Sequence, residues 1–446
     1  PQHRELIEAA AVLGESSSVD LLTSVASASQ EQAYESLREV VTLGLLDESN
    51  DGKTIVFPQT HLREAIYNAM TERHRTELHQ RVAEALEPAL QAGSAHFLGQ
   101  VAFHYARAGD QSKGVRYSVE AGDMAMSTIA HQGATDFYRS ALELMDLAGA
   151  EEARKAEVRE KLADAYHRSG DYRGAIQAYQ FLLKSIQARS KDEAPNAGLA
   201  RVMKKIGKVL GKRGDQEAAL SYFQNAIDQF EKLGMSIEVA ELLNRIAGLH
   251  RERDDSEAAR ASSERALQLL DASDPNIVFG YVMNMLGLIE YSLGNWQKSR
   301  TMLMHALKVG EKVGSERLCK VASTNLGNTL WKLGDWINAL QYYKMNLALS
   351  ESEGDLWDLI TAYNNIGIIE FSRGDFQVAA GYFEKSVRID EKIGAVEYEA
   401  LARENLAEAF EMLGRWNDAL AQYNRCLALQ GFDDARASRS SVYIPL

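Results

Sequence analysis

Histidine and cysteine are the residue types that most often bind metals or act as nucleophiles, and this chain has ten histidines and two cysteines. His74 and His79 are five residues apart, so their rings face different sides of a helix, whereas zinc-binding pairs on a helix are about three or four apart. The sequence contains no His-Glu-x-x-His, Cys-x-x-Cys, Gly-x-Ser-x-Gly or Asp-x-Asp-x-Asp-Gly pattern. We therefore expect no catalytic site and no metal site, and we expect Cys319 and Cys426 to be reduced thiols.

Gly52-Lys53-Thr54 is the triplet that ends a P-loop, the phosphate-binding loop of many ATPases. The first glycine of that motif would stand at position 47, where this chain has Asp47. The triplet also falls in a predicted hairpin and not between a strand and a helix. We therefore expect neither P-loop nucleotide binding nor any cofactor.

The charge of the chain argues against a nucleic-acid ligand. Its 446 residues include 63 acidic and 49 basic side chains, for a formal net charge of −14, whereas phosphate binding requires clustered cations. No apolar run reaches the roughly 18 residues of a membrane span, and the first residues lack the apolar core of a signal peptide. These features predict a cytoplasmic protein with no membrane partner.

The elements that position any binding residue are predicted to be helices. The chain has six prolines, where average usage would give about 22, and helix interiors exclude proline. A glycine turn, commonly Gly-Asp followed by an aromatic residue, recurs at intervals of 40 or 80 residues after a first interval of 44. Seven units are present, because Arg253-Asp254-Asp255 occupies the slot that lacks a glycine. The turn glycines are Gly170, Gly214, Gly294, Gly334, Gly374 and Gly414.

Each unit contains two amphipathic helical patterns, here called helix A and helix B, which must stack on neighbouring units to bury their apolar faces. The units resemble the tetratricopeptide repeat, with a small residue at position 8 of helix A, the turn at positions 15 to 17, alanine at 20 and an aromatic residue near 24. The resemblance covers about residues 155–430 and implies an all-α superhelix, an α-solenoid. The long period is similar to that of Leu-Gly-Asn repeat adaptors and bacterial signalling regulators. Unit three has Ser263 in the aromatic slot, so we expect weaker packing there.

A different pattern precedes the repeats. Three predicted helices, the third spanning 30–43, are followed by two short strands around the turn Asn50-Asp51-Gly52. Three helices and a hairpin indicate a winged helix. Its third helix would have to enter the DNA groove, yet it carries one arginine and three acids, so we expect no direct nucleic-acid contact. The acids are Glu31, Glu35 and Glu39.

The segments 57–67 and 73–86 resemble the end of the ATPase module in STAND-type signalling proteins. In that family a winged helix follows a P-loop ATPase domain and precedes helical repeats. The resemblance therefore implies that this chain is a C-terminal piece of a larger signalling protein. The family often has a nucleotide-sensing histidine two residues after the wing phenylalanine; this chain has Gln59 there, and His61 stands at a different offset.

These patterns predict four segments. A winged-helix domain spans 1–72, a helical connector with degenerate repeats spans 73–150, seven tetratricopeptide repeats of about 40 residues span 151–431, and a polar C-terminal tail spans 432–446. We expect a protein- or peptide-binding sensor region that signals to an upstream domain of the same parent protein. The alternatives are the regulatory part of a transcription activator that contacts DNA, and a scaffold that forms homo-oligomers.

By resemblance, helix A positions 2, 5, 9, 12 and 13 line a concave groove that receives an extended peptide or a partner helix. Asparagine recurs at position 5, where its donor and acceptor could clamp a peptide backbone; because asparagine is a poor helix former, packing gives no evident reason for it. The alternatives are that the asparagines are solvated and that the aromatic residues at position 12 belong to the core. The predicted ligand-binding residues are Asn244, Asn284, Thr324, Asn364, Asn328, Tyr291, Trp331, Phe371, Lys204 and Lys208.

Overall fold

The computed structural model describes residues 2–26, 30–49, 52–189 and 195–430. Contacts divide the chain into two compact units, Pro1–Ala226 and Ile227–Leu446. The predicted C-terminal tail, and Asn50 and Asp51 of the predicted hairpin turn, lie outside the described residues. None of the helices in the described ranges is long and apolar enough to cross a membrane.

The N-terminal module is a winged helix, as predicted. Its three-stranded sheet has the order β1-β3-β2, with both pairs antiparallel; Ser17 pairs with Ile55 and Asp47 with Val56. Ile55 is buried at the centre of this sheet. Strand β1 was not predicted, because three consecutive serines carry no apolar alternation and become a strand through pairing with β3. The elements are α1 (Gln2–Leu13), β1 (Ser16–Ser18), α2 (Val19–Val25), α3 (Gln30–Thr42), β2 (Asp47–Glu48) and β3 (Thr54–Val56).

Helices fill the rest of the N-terminal unit, and from α5 to α11 each helix packs against the next one along the chain. A short 3-10 helix, Ala95–Phe97, precedes α6. The helices are α4 (Thr60–Ala69), α5 (Glu72–Gln91), α6 (Leu98–Arg107), α7 (Gln111–Ser127), α8 (His131–Leu147), α9 (Glu152–Ser169), α10 (Tyr172–Arg189) and α11 (Ala197–Arg213), and the boundary between the two units falls within α12 (Gln216–Lys232).

The C-terminal unit continues the same alternation of helix A and helix B. Its helices are α13 (Ser236–Glu252), α14 (Ser256–Gln268), α15 (Ile277–Ser292), α16 (Trp296–Val313), α17 (Glu316–Lys332), α18 (Trp336–Glu353), α19 (Leu356–Ser372), α20 (Phe376–Ile393), α21 (Val396–Met412) and α22 (Trp416–Gln430).

A small residue in helix A lets helix B approach closely. A Cβ added at Gly367 would lie 2.5 Å from a ring carbon of Phe383, the aromatic residue of the following helix B. The connector uses the same contact, because a Cβ at Gly122 in α7 would lie 2.5 Å from the Tyr138 ring in α8. The pair α7 and α8 is therefore built like the repeats that follow it.

The third unit keeps its turn without a glycine. Asp254 adopts a left-handed backbone with φ of 59°, close to the φ of 78° at Gly334. Aspartate is one of the few side chains that enter this region at modest cost. Ser263, in the aromatic slot of α14, is fully buried, and its hydroxyl has no hydrogen-bond partner among the described residues. The turn of this unit therefore has the same backbone shape as the glycine turns, whereas the contact between α13 and α14 lacks the aromatic ring found in other repeats.

Candidate functional site

The A helices of the C-terminal unit lie next to one another. Helix α13 contacts α15, α15 contacts α17, and α19 contacts α21; α17 and α19 are joined by a hydrogen bond from Trp331 Nε1 to Ser372 Oγ at 3.3 Å. Among the described residues, no two B helices of successive repeats make contacts of comparable extent. The A helices therefore occupy the inner side of this unit, and eight of the ten predicted binding residues lie on them.

Two of the predicted asparagines bond to the next repeat. Asn325 Nδ2 donates to Asn284 Oδ1 at 3.0 Å, and Asn405 Nδ2 donates to Asn364 Oδ1 at 2.9 Å. Asn284 is 5% exposed and Asn364 is 8% exposed. The interpretation that packing gives no reason for their recurrence is wrong, since these amides join adjacent A helices.

Asn244 makes no such bond within the described part of the chain. The residue 41 positions later, the offset of both asparagine pairs, is Met285, whose thioether cannot donate a hydrogen bond. Asn244 is half-buried, and its Oδ1 has no partner among the described residues. Asn284 and Asn364 are thus hydrogen-bonded to the next A helix, whereas the side-chain oxygen of Asn244 is not.

Thr324 and Asn328 are satisfied within their own repeat. Thr324 Oγ1 accepts a hydrogen bond from Asn346 Nδ2 of α18 at 2.8 Å and donates to the carbonyl of Lys320 at 2.9 Å. Asn328 Oδ1 accepts a hydrogen bond from the Tyr343 hydroxyl. Both residues therefore tie helix A to helix B in the fifth repeat.

The aromatic residues at position 12 are half-buried. Trp331 reaches Ser372 of the next repeat and has the ammonium of Lys332 4.6 Å from its ring centre, while Phe371 packs edge-on against Phe376. Tyr291 differs, because its hydroxyl is buried and, among the described residues, has no partner. That burial raises the pKa of Tyr291 to about 12.

Three polar atoms without partners in the described part of the chain lie on two adjacent A helices. They are Asn244 Oδ1 and Arg251 Nε on α13 and Tyr291 Oη on α15. Each side chain is half-buried as a residue, while the polar atom itself is covered. An unsatisfied buried polar group costs about 1 to 3 kcal/mol, so this part of the inner face can gain free energy from a polar ligand.

An exposed aromatic pair on the same set of helices was not predicted. Trp357 in α19 is 54% exposed and Tyr398 in α21 is 42% exposed, and their rings meet edge-to-face with centroids 5.6 Å apart. The two residues have the same offset as the asparagine pairs. That recurrence was the signal in the sequence that could have identified them.

Lys204 and Lys208 lie in the N-terminal unit. Both are half-buried on α11. The neighbouring Lys205 forms ion pairs at 2.8 Å with Glu160 and Asp164 of α9, which compensates part of the basic charge of this helix. Their role in ligand binding stays a prediction.

The family model of the tetratricopeptide repeat matches residues 279–352, 317–392 and 358–430. The chain therefore contains tetratricopeptide repeats, as predicted, over α15 to α22. No curated protein matches the chain.

Solved structures show a similar fold. A STAND protein, a signal transduction ATPase with numerous domains that carries a tetratricopeptide repeat sensor, from Pyrococcus horikoshii, matches all of this chain with a TM-score of 0.54 and 14% identity. This chain spans 65% of the length of that protein. The apo form of the quorum sensor NprR from B. thuringiensis matches 90% of this chain and 99% of its own length, with a TM-score of 0.48 and 13% identity. A Rap protein complexed with competence and sporulation factor matches 72% of this chain and 99% of its own length, with a TM-score of 0.45 and 14% identity.

Proposed function

We propose that this chain is the sensor region of a larger STAND-type signalling protein and that it binds an extended peptide or protein segment on the A helices of its C-terminal unit. The observation that carries the proposal is the set of unpaired polar atoms on α13 and α15. The solved structure with the similar fold is itself described as having a tetratricopeptide repeat sensor.

The unpaired atoms match the chemistry of a peptide backbone. Asn244 Oδ1 accepts, Arg251 Nε donates and the Tyr291 hydroxyl can do either. A backbone offers alternating N–H and C=O groups to such a surface. Because the atoms are covered in the unliganded chain, their side chains must rotate toward the ligand, and the hydrogen bonds gained offset that rotation.

The aromatic pair supports the same surface at its other end. Trp357 and Tyr398 expose large apolar rings on α19 and α21, and exposed tryptophan and tyrosine are enriched among residues that dominate binding energy. In this proposal the polar atoms on α13 and α15 bind the backbone of the peptide, and the aromatic rings on α19 and α21 bind one of its apolar side chains.

Selection from a displayed library of random dodecapeptides on the full chain tests the proposal. We expect enriched peptides whose affinity falls at least tenfold in a chain carrying both Arg251→Gln and Tyr291→Phe. Tyr382→Phe on helix B α20 is the matched control and should leave affinity unchanged. Absence of enrichment, or equal affinity for the double variant, would show that this face is not the binding surface.

The proposed parent protein is tested by the gene itself. The reading frame upstream of Pro1 should encode a Gly-x-x-x-x-Gly-Lys-Thr/Ser motif between a strand and a helix. The triplet Gly52-Lys53-Thr54 cannot serve, because Thr54 begins strand β3. We assign no catalytic role to the chain itself, and an upstream frame without that motif would remove the link to an ATPase.

A further inference from the structure

A cavity of about 430 Å³ lies in the N-terminal unit, outside the tetratricopeptide repeats of α15 to α22. Its walls are the end of α1, helix α4, helix α5 and helix α6. The volume is in the range of about 300 to 1,000 Å³ typical of small-molecule sites. The apolar part of the wall includes Val12, Leu13 and Phe103.

Two histidines form the buried floor of this cavity. His79 of α5 and His104 of α6 are 1% and 5% exposed, and their Nδ1 atoms are 2.9 Å apart. The Tyr67 hydroxyl lies 2.9 Å from His79 Nε2. One Nδ1 must be protonated and the other not. When Tyr67 donates to His79, His79 donates to His104, and His104 must then carry its proton on Nε2, the nitrogen left for a ligand.

The environment of this pair is positive. Burial lowers the pKa of His79 to about 4, with the charges of Arg107 and Arg75 acting in the same direction. The pKa of His104 is lowered to about 3, mainly by burial and to a smaller extent by the charge of His79. Both rings are therefore neutral near pH 7. The two guanidinium groups add positive charge near the pair, and positive charge attracts an anion and repels a cation.

Two arginines supply binding groups for an anion. Arg63 of α4 has a covered Nε without a partner in the described residues, and its Nη1 makes one long contact, 3.4 Å, to the carbonyl of Ala11. Arg107 of α6 lies with its guanidinium 5.5 Å from the Phe103 ring centre. None of the described residues that line the cavity is acidic, so no carboxylate among them neutralises these cations.

We propose that this cavity binds a small organic anion. Its acid group contacts Arg63, Arg107 and the Nε2 proton of His104, and its apolar body rests on Val12, Leu13 and Phe103. The acid is a carboxylate or a phosphate ester, since both accept hydrogen bonds from guanidinium groups. This site is independent of the proposed peptide surface and can exist without it.

Isothermal titration of the full chain with benzoate and with phenyl phosphate distinguishes the two acids, and benzyl alcohol is the neutral control. We expect one acid to bind at least tenfold more tightly than benzyl alcohol. Arg107→Gln and Arg63→Gln should each weaken that binding at least tenfold. Arg154→Gln, at an exposed position on α9, is the matched control and should have no effect.

Two further measurements distinguish loss of binding from loss of folding. Circular dichroism should show native helicity for Arg107→Gln, since Arg107 is exposed. With ¹⁵N-labelled histidine, the binding acid should shift the resonances of His104 and His79 and leave the exposed His61 unchanged. Equal binding of acids and benzyl alcohol, or undiminished binding by both arginine variants, would overturn the proposal.

Discussion

Asn405 donates a side-chain hydrogen bond to Asn364 across 2.9 Å, between the A helices of two successive repeats. The pair is 41 residues apart, one more than the repeat period, and Asn325 and Asn284 repeat the arrangement two units earlier. The bond therefore joins position 5 of one repeat to position 6 of the next. At the interface between these two, from α17 to α19, the corresponding residues are Thr324 and Asn365. The bond between two asparagines therefore occurs at alternate interfaces.

Removing either amide of this pair should destabilise the C-terminal repeats. We expect Asn364→Ala and Asn405→Ala each to lower the free energy of unfolding in urea by about 1 to 2 kcal/mol, because the first leaves the half-buried Asn405 unpaired and the second leaves the buried Asn364 unpaired. The double variant should show a coupling energy of about 1 kcal/mol. Asn365→Ala, a half-buried neighbour on the same helix, is the control and should cost less than about 0.5 kcal/mol. Additive effects of the two substitutions would contradict the assigned bond.

Two glycines in the sixth repeat should respond oppositely to alanine. Gly367→Ala places a Cβ 2.5 Å from Phe383, and such overpacking costs about 1 to 3 kcal/mol. Gly381 lies within α20 with nothing within 4 Å of its added Cβ, so Gly381→Ala should stabilise by about 0.5 to 1 kcal/mol through helix propensity. Thermal unfolding of both variants checks the pair. Equal shifts in the same direction would exclude close helix approach as the reason for Gly367.

Periodicity predicted the repeats because each unit must bury the same faces with the same residue types. The cavity could not be predicted this way. His79 was compared with His74, its neighbour in sequence, while its neighbour in space is His104, 25 residues away on another helix. The spacing of residues within one helix shows which of them share a face of that helix. It cannot show that His79 and His104 meet, because their contact depends on how α5 packs on α6. Strand β1 was missed for a similar reason, because its pairing with β3 is long-range.

Asp390 should make the stability of the C-terminal unit fall as pH rises. Its side chain is fully buried, and its pKa is raised from 3.8 to about 7 mainly by burial; Glu399 acts in the same direction, and the Ser386 hydroxyl and Arg403 oppose it. Between these values the folded chain binds more protons than the unfolded chain. Unfolding free energy should therefore decrease by up to about 1.4 kcal/mol per pH unit from pH 4 to 7.

Substitution isolates the contribution of this acid. Asp390→Asn is neutral at every pH, so its stability should lack that decline and exceed that of the native chain above pH 7. Glu397→Gln, at an exposed position of α21, is the control and should keep the native slope. Urea unfolding at pH 4.5, 6 and 7.5 measures the difference. Parallel pH profiles for Asp390→Asn and the native chain would show that Asp390 ionises normally.

Arg403 should be far more important for stability than another arginine of the same region. It is 3% exposed, and its guanidinium donates to Glu399 and Gln422 at 2.8 Å each and to Glu391. Arg403→Met leaves buried Glu399 unpaired and should cost about 3 to 5 kcal/mol. Arg388→Met removes an exposed ion pair with the Glu384 carboxylate and an exposed hydrogen bond to the Glu384 carbonyl, and it should cost less than about 1 kcal/mol. Similar unfolding midpoints for the two variants would refute the buried network.

Substitution of the exposed aromatic pair should weaken peptide binding without lowering the stability of the fold. Trp357 is 54% exposed, so Trp357→Ala should leave the unfolding midpoint nearly unchanged while it weakens peptides selected on the native chain by about 30-fold, as expected for a binding residue worth about 2 kcal/mol. Trp331→Ala should affect both measurements, because Trp331 also bonds to Ser372. Trp416→Ala, a 67% exposed tryptophan at the start of helix B α22, is the control for surface loss. If Trp416→Ala weakened the peptides as much as Trp357→Ala, the ligand would not lie on the A helices.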